Sequence, residues 1–243
     1  MKALLRWFAL LLLALLALQL FFVARIALMA VTHPQSTTFE RSEAWRLLQE
    51  KDPLRWRQQW VDYDQISDHL KRAVIASEDD SFAWHEGVDW DAMEKAWQKN
   101  LAAEERVTKL AANGARAVRP PKIVGGSTIT QQLAKNLLLS GERTLLRKGQ
   151  EFVLAFLLEK VLGKQRILEL YLNHVEWGEG VFGAEAAAQH YYRKPAARLT
   201  AGEAARLAVM LPRPRYYEKL PHSSYLADRA GVISGRLWRA ELP

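Results

Sequence analysis

From Trp7 to Ala24 the chain runs eighteen residues with a single polar interruption, Gln19, and no charge. As a helix this stretch would be about 27 Å long, close to the roughly 30 Å of a bilayer's hydrocarbon core. Lys2 and Arg6 precede it. Arg25 follows, and Ile26 to Val31 extend the apolar character to Thr32, His33 and Pro34. An arginine at that point can snorkel toward the headgroups. A soluble core helix would need equally apolar partners, and no later segment matches it. A cleaved signal would have a shorter apolar core and a small-x-small site, so a retained anchor over residues 1–34 is expected. The early cations and short tail place the amino terminus in the cytoplasm and residues 35–243 across the membrane.

The remainder is long enough for one good core. With no cysteine, a disulfide framework, a thiol nucleophile and thiolate metal sites are excluded. Thirty-four basic against 27 acidic residues give a formal charge of +7, which favours anionic partners. Nucleic acid is disfavoured because the charge belongs to a translocated body, which leaves anionic lipid and phosphorylated substrates. The six histidines show no metal-ligand spacing, and no Gly-x-Ser-x-Gly elbow is present.

Apolar spacing predicts helices almost throughout, and one all-α domain. A juxtamembrane helix is expected over Ser36–Gln49, with Trp56 and Trp60 packing against the body. Next come Gln65–Asp79 and a helix capped by Asp89 that frays by Ala103. Residues Glu104–Lys122, basic and broken by Gly114 and Pro120-Pro121, read as an exposed, mobile insertion. Thr128–Leu139 follows with Ser127 as its cap, then Thr144–Leu162 ended by Gly163, Ile167–Leu172, Phe182–Tyr192, Thr200–Leu211 and Ser224–Arg239.

Chemistry concentrates in a few places. Glu78 shares an apolar helical stripe with Val74, Ile75 and Phe82, beside Asp79 and Asp80. Desolvation there would raise its carboxyl toward the range useful for proton transfer, although a helix end reaching water is the commoner outcome. Gly125-Gly126 open a helix carrying Ser127, Thr128, Gln131, Gln132 and Lys135. Free N–H groups at such a terminus suit an anion, but a Walker-type loop needs different glycine spacing. Glu151 enters an apolar helix one turn after Arg147, with Arg143 and Lys148 nearby, as a surface ion pair or as part of a cationic cluster for a pyrophosphate. Glu169, Tyr171 and Asn173 read as scaffold. His85 is placed to orient the loop after Glu78.

The string Glu78-Asp79-x-x-Phe82-x-x-His85-x-Gly87-x-Asp89 resembles the signature of the peptidoglycan glycosyltransferases, a lysozyme-like family. Gly125-Gly126-Ser127-Thr128-Ile129-Thr130-Gln131-Gln132-Leu133-Ala134-Lys135-Asn136 is similar to its second motif. Arg147-Lys148-x-x-Glu151, Leu158-Glu159 and Ile167-Leu168-Glu169-x-Tyr171-Leu172-Asn173 match the remaining motifs in order, across about Val61–Pro214. The stretch between Asp89 and Gly125 is a dozen or more residues longer than the family pattern. With no Ser-x-x-Lys context, the monofunctional branch is expected.

The resemblance implies a lysozyme-like helical domain on a single-pass anchor in a bacterial inner membrane, facing the periplasm. It implies polymerisation of lipid II onto a lipid-linked glycan chain. Glu78 would be the base and Glu151 would act at the donor. Ser127, Gln132, Lys135 and Arg143 would bind substrate and pyrophosphate. Asp79, Phe82, His85, Gly125, Gly126, Thr128, Arg147, Lys148 and Asn173 would support them. No cofactor is assured, a divalent ion (Mg or Mn) is compatible, and other cell-wall synthases and division proteins are candidate partners. A wall-cleaving lysozyme-like enzyme and a non-catalytic wall scaffold stay open as alternatives.

Overall fold

The computed structural model describes residues 1–50, 55–112, 125–142 and 144–243. Helix α1 spans Lys2–Met29, and its surface is bare for most of its length. Its last turns are different. Gln19, Phe22, Ile26 and Met29, spaced three and four apart, share one face. Phe22, Ile26 and Met29 are buried there in the main core. Gln19 and Gln150 exchange two amide hydrogen bonds, each 3.1 Å. Arg166 donates to the carbonyls of Met29 and Thr32 at 2.9 and 2.6 Å, closing the end of the helix onto the body. Length and composition make α1 able to cross a membrane, and it serves as a single-pass anchor.

Helix α2 (Thr38–Gln49) begins in a Thr37/Glu40 capping box. Helix α3 (Asp68–Glu78) buries Leu70, Ala73, Val74 and Ile75 and stops at Glu78, where Asp79 leaves helical geometry. Helix α4 runs Trp90–Ala112, nine residues past the expected fraying point at Ala103. Nothing in Glu104–Ala112 forbids helix, since Gly114 and the prolines lie beyond it. The rest of the expected mobile insertion, 113–124, falls outside the described residues.

Helix α5 (Ile129–Leu138) and helix α6 (Leu145–His174) form the centre. Gly163 takes φ +73°, ψ 164° and breaks α6 in two, as its sequence position anticipates. Helices α7 (Ala184–Tyr192), α8 (Ala201–Met210), α9 (Pro214–Glu218) and α10 (Ser224–Ser234) complete the body.

One element was not expected. Strands β1 (Arg57–Gln58), β2 (Glu176–Gly178) and β3 (Val181–Phe182) form a small sheet in the order β1-β3-β2. β1 and β3 run parallel, while β2 and β3 run antiparallel. Strands of two and three residues are too short to show alternation. The helix expected from Phe182 therefore starts at Ala184. Trp56 stacks on Phe182 at 4.5 Å and Trp60 packs against the core, so both join the body.

Candidate active site

Three segments meet around Glu78. The residue ends α3, and Gln132 of α5 donates from Nε2 to its Oε2 at 3.1 Å. Burial pushes the Glu78 carboxyl above its ordinary value of 4.5; the Gln132 bond opposes that rise and the charge of Asp79 adds to it. The donation is neutral, and among the described residues no ion pair reaches this carboxyl.

Asp79 has a different task. Its carboxylate accepts the backbone N–H of Ile129 at 2.9 Å and holds His85 Nε2 at 2.9 and 3.0 Å. Gly87 N–H donates to His85 Nδ1 at 3.1 Å, which fixes the ring with its proton on Nε2. The turn is tied again where Thr128 Oγ1 donates to the Gly87 carbonyl at 2.7 Å. Phe82 is fully buried beneath this turn, past the end of α3 and so off the helical stripe expected of it.

The glycine-led motif is also organised differently from its sequence reading. Thr128, not Ser127, caps α5. Its hydroxyl accepts from Gln131 N–H while Gln131 Oε1 takes the Thr128 N–H. With Ile129 N–H given to Asp79, these leading donors are occupied, so the α5 terminus is not an open anion cradle. Gly126 has a steric role: a Cβ there would lie 2.9 Å from Met93 Cα of α4. Among the described residues, nothing lies within 4 Å of a Cβ placed at Gly125.

Glu151 is held by cations. Arg147 donates to it at 2.9 Å and Lys148 forms a closer ion pair, with the carboxyl almost fully buried. The Lys148 ammonium also reaches Ser127 Oγ at 3.3 Å. Lys135, Gln132, Ser127, Arg147, Lys148 and Glu151 line one cavity of about 480 Å³, together with Thr38, Phe39 and Ser42 of α2. Glu78, Asp79, Asp80, Trp84, Gly125, Gly126 and Ser127 line a neighbouring one of about 380 Å³. Ser127 belongs to both walls. Two basins thus adjoin, one with the buried Glu78 carboxyl and one with the clamped Glu151 carboxylate and the cations.

Asn173 stands outside this site. Its side chain bridges Val61 N–H and C=O, both at 3.0 Å, and the Glu169 carbonyl, so it binds the segment before α3 to α6. Arg143 falls outside the described residues. The cavity wall from α2 has no signal in sequence, because Thr38, Phe39 and Ser42 look like any polar helix start. Tyr171, read from sequence as scaffold, reaches this site: its hydroxyl donates to Gln132 Oε1 at 3.0 Å. Among the described residues no three His, Asp or Glu side chains gather as a metal site.

A helical body on a membrane anchor, with two buried carboxylates in unlike surroundings beside adjoining cavities, has the layout of a membrane-bound enzyme. Residues 46–237 match the family model described as transglycosylase. Biosynthetic peptidoglycan transglycosylases of Burkholderia orbicola (strain MC0-3) and Burkholderia ambifaria (strain MC40-6) are each 53% identical over 228 residues, covering 94% of this chain and 86% of theirs. That of Burkholderia thailandensis is 53% identical, with 83% of its length covered. The chain belongs to the transglycosylase family, the peptidoglycan glycosyltransferases, and is an enzyme of that class.

Proposed function

We propose that the chain polymerises lipid II into glycan strands by inverting glycosyl transfer, releasing undecaprenyl pyrophosphate. The growing strand, held through its reducing-end MurNAc to the lipid diphosphate, is the donor. Glu78 removes the proton from the GlcNAc 4-hydroxyl of an incoming lipid II. The freed oxygen attacks C1 of the donor MurNAc from the face opposite the diphosphate. The C1–O bond to phosphate breaks, and its electron pair leaves with the lipid diphosphate.

The observation that carries this reading is the pair of basins sharing Ser127, with a carboxyl raised by burial in one and Lys135, Arg147 and Lys148 in the other. A base needs a proton affinity near the working pH, and a departing diphosphate needs fixed positive charge. Glu151, gripped by Arg147 and Lys148, orders those cations at the donor, and Arg143 is assigned there from its motif. A divalent ion (Mg or Mn), if the reaction uses one, would supply further positive charge for the departing diphosphate. Residues 1–34 are the tail and anchor and 35–243 the catalytic body, on the periplasmic face of the inner membrane. Other wall synthases and division proteins are the partners this placement suits.

The test is incubation of the full-length protein with lipid II, with and without chelator. Glycan polymer and released undecaprenyl pyrophosphate support the proposal. Shortening of preformed glycan, with no polymer formed, would overturn it in favour of a wall-cleaving enzyme.

A further inference from the structure

Glu78 is served by a side chain that is itself held from behind. Tyr171, in the part of α6 after Gly163, is buried, and its O–H donates to Gln132 Oε1 at 3.0 Å. Gln132 Nε2 donates to Glu78 Oε2 at 3.1 Å. The three residues come from α6, α5 and α3, so the line of hydrogen bonds crosses the whole centre of the body.

We propose that Tyr171 is a positioning residue for the reaction, acting through Gln132: its hydroxyl selects the amide orientation that turns an N–H, and not a carbonyl, toward Glu78. A glutamine amide has nearly the same shape in its two orientations, with donor and acceptor ends exchanged. Packing alone cannot choose between them. Turned about, the amide would set its carbonyl oxygen against an ionised carboxylate, acceptor against acceptor. A hydroxyl donating to the far end holds the productive orientation before substrate arrives. The phenol keeps its proton for this purpose: burial, then the charges of Glu78 and Asp79, push it well above its ordinary value of 10.0.

Among the described residues, the charged and titratable groups around Glu78 include Asp79 beside it in the chain and Tyr171 behind Gln132, while Asp80 and Asp89 share the walls of its cavity. Burial and Asp79 both disfavour the ionised form, leaving the Gln132 N–H as the opposing influence. Loosening that N–H must therefore raise the Glu78 carboxyl further. The proposal rests on the reading of Glu78 as the base.

The test compares wild type, Tyr171→Phe, Gln132→Met and the double variant as full-length protein with lipid II, recording kcat and KM against pH. Tyr171→Phe should move the acid limb of kcat up by about one pH unit, which below the limb is about a tenfold loss of the ionised base, with KM little changed. Gln132→Met should move the limb in the same direction, and the double variant should match it without a further shift. An unmoved limb in Tyr171→Phe or in Gln132→Met, or full addition of their effects, would overturn the relay. Should Tyr171→Phe fail to fold, an unmoved limb in Gln132→Met alone is enough to overturn it. Retained turnover in Glu78→Gln would instead remove the reading of the base, which is a separate result.

Discussion

His85 donates from Nε2 to the buried Asp79 carboxylate at 2.9 Å, and this bond folds the turn after α3 back against the start of α5. The same carboxylate accepts Ile129 N–H, so one side chain joins the turn following Glu78 to the helix that supplies Gln132.

Removing the imidazole leaves a buried carboxylate with only part of its hydrogen bonding. His85→Ala is expected to lower stability by about 1–3 kcal/mol, the usual cost of stranding a buried polar partner. Turnover should fall with it, because Glu78 adjoins Asp79. Denaturant melts of wild type and variant in the same detergent read this directly, and coincident midpoints would count against it.

The two motif glycines should separate sharply. Gly126→Ala places a Cβ 2.9 Å from backbone of α4, so that helix must shift, at a cost of about 1–3 kcal/mol. Gly125→Ala meets none of the described residues within 4 Å and should stay within about 0.5 kcal/mol of wild type. Thermal midpoints of the two single variants test the pair; equal midpoints contradict the steric assignment.

The Glu78 carboxyl is raised on folding, chiefly by burial. The folded state then binds the proton more tightly than the unfolded chain, so stability falls as pH rises from about the ordinary 4.5 through the higher folded value. Glu78→Gln removes that loss. The variant should have a higher melting temperature relative to wild type at neutral pH than at pH 4, while transfer activity falls by about 100-fold or more. A melting difference independent of pH would contradict the placement of the carboxyl.

Glu151→Gln should keep the cavity shape while weakening its hold on Arg147 and Lys148, which are partly open to solvent. Activity is expected to fall on the order of 100-fold while stability changes by no more than about 1–2 kcal/mol. Steady-state rates with lipid II, alongside melts, check both halves; near-normal turnover would take Glu151 out of the donor basin.

Sequence reading reaches furthest where the pattern is local. The chain order of the motifs identifies Glu78, Gln132, Lys148 and Glu151, and the structure brings their segments to two adjoining basins. It was less informative where one residue depends on a distant one. Whether Ser127 or Thr128 caps α5 turns on a one-residue offset in the helix start, and the Thr128–Gly87 bond joins positions 41 residues apart. Tyr171 shares a motif with Asn173, yet one reaches the site through Gln132 and the other fastens Val61. Spacing along α6 cannot tell these roles apart, because the partners lie on other elements.

The paired amides of Gln19 and Gln150 have a consequence for how the enzyme meets its substrate. Gln19 sits about 8 Å inside the end of the apolar run at Ala24, and Gln150 is the immediate neighbour of Glu151. Anchor and α6 are thus braced together, which ties Glu151 and the cavity it lines to the membrane-spanning helix and denies the body free swivel on a leash.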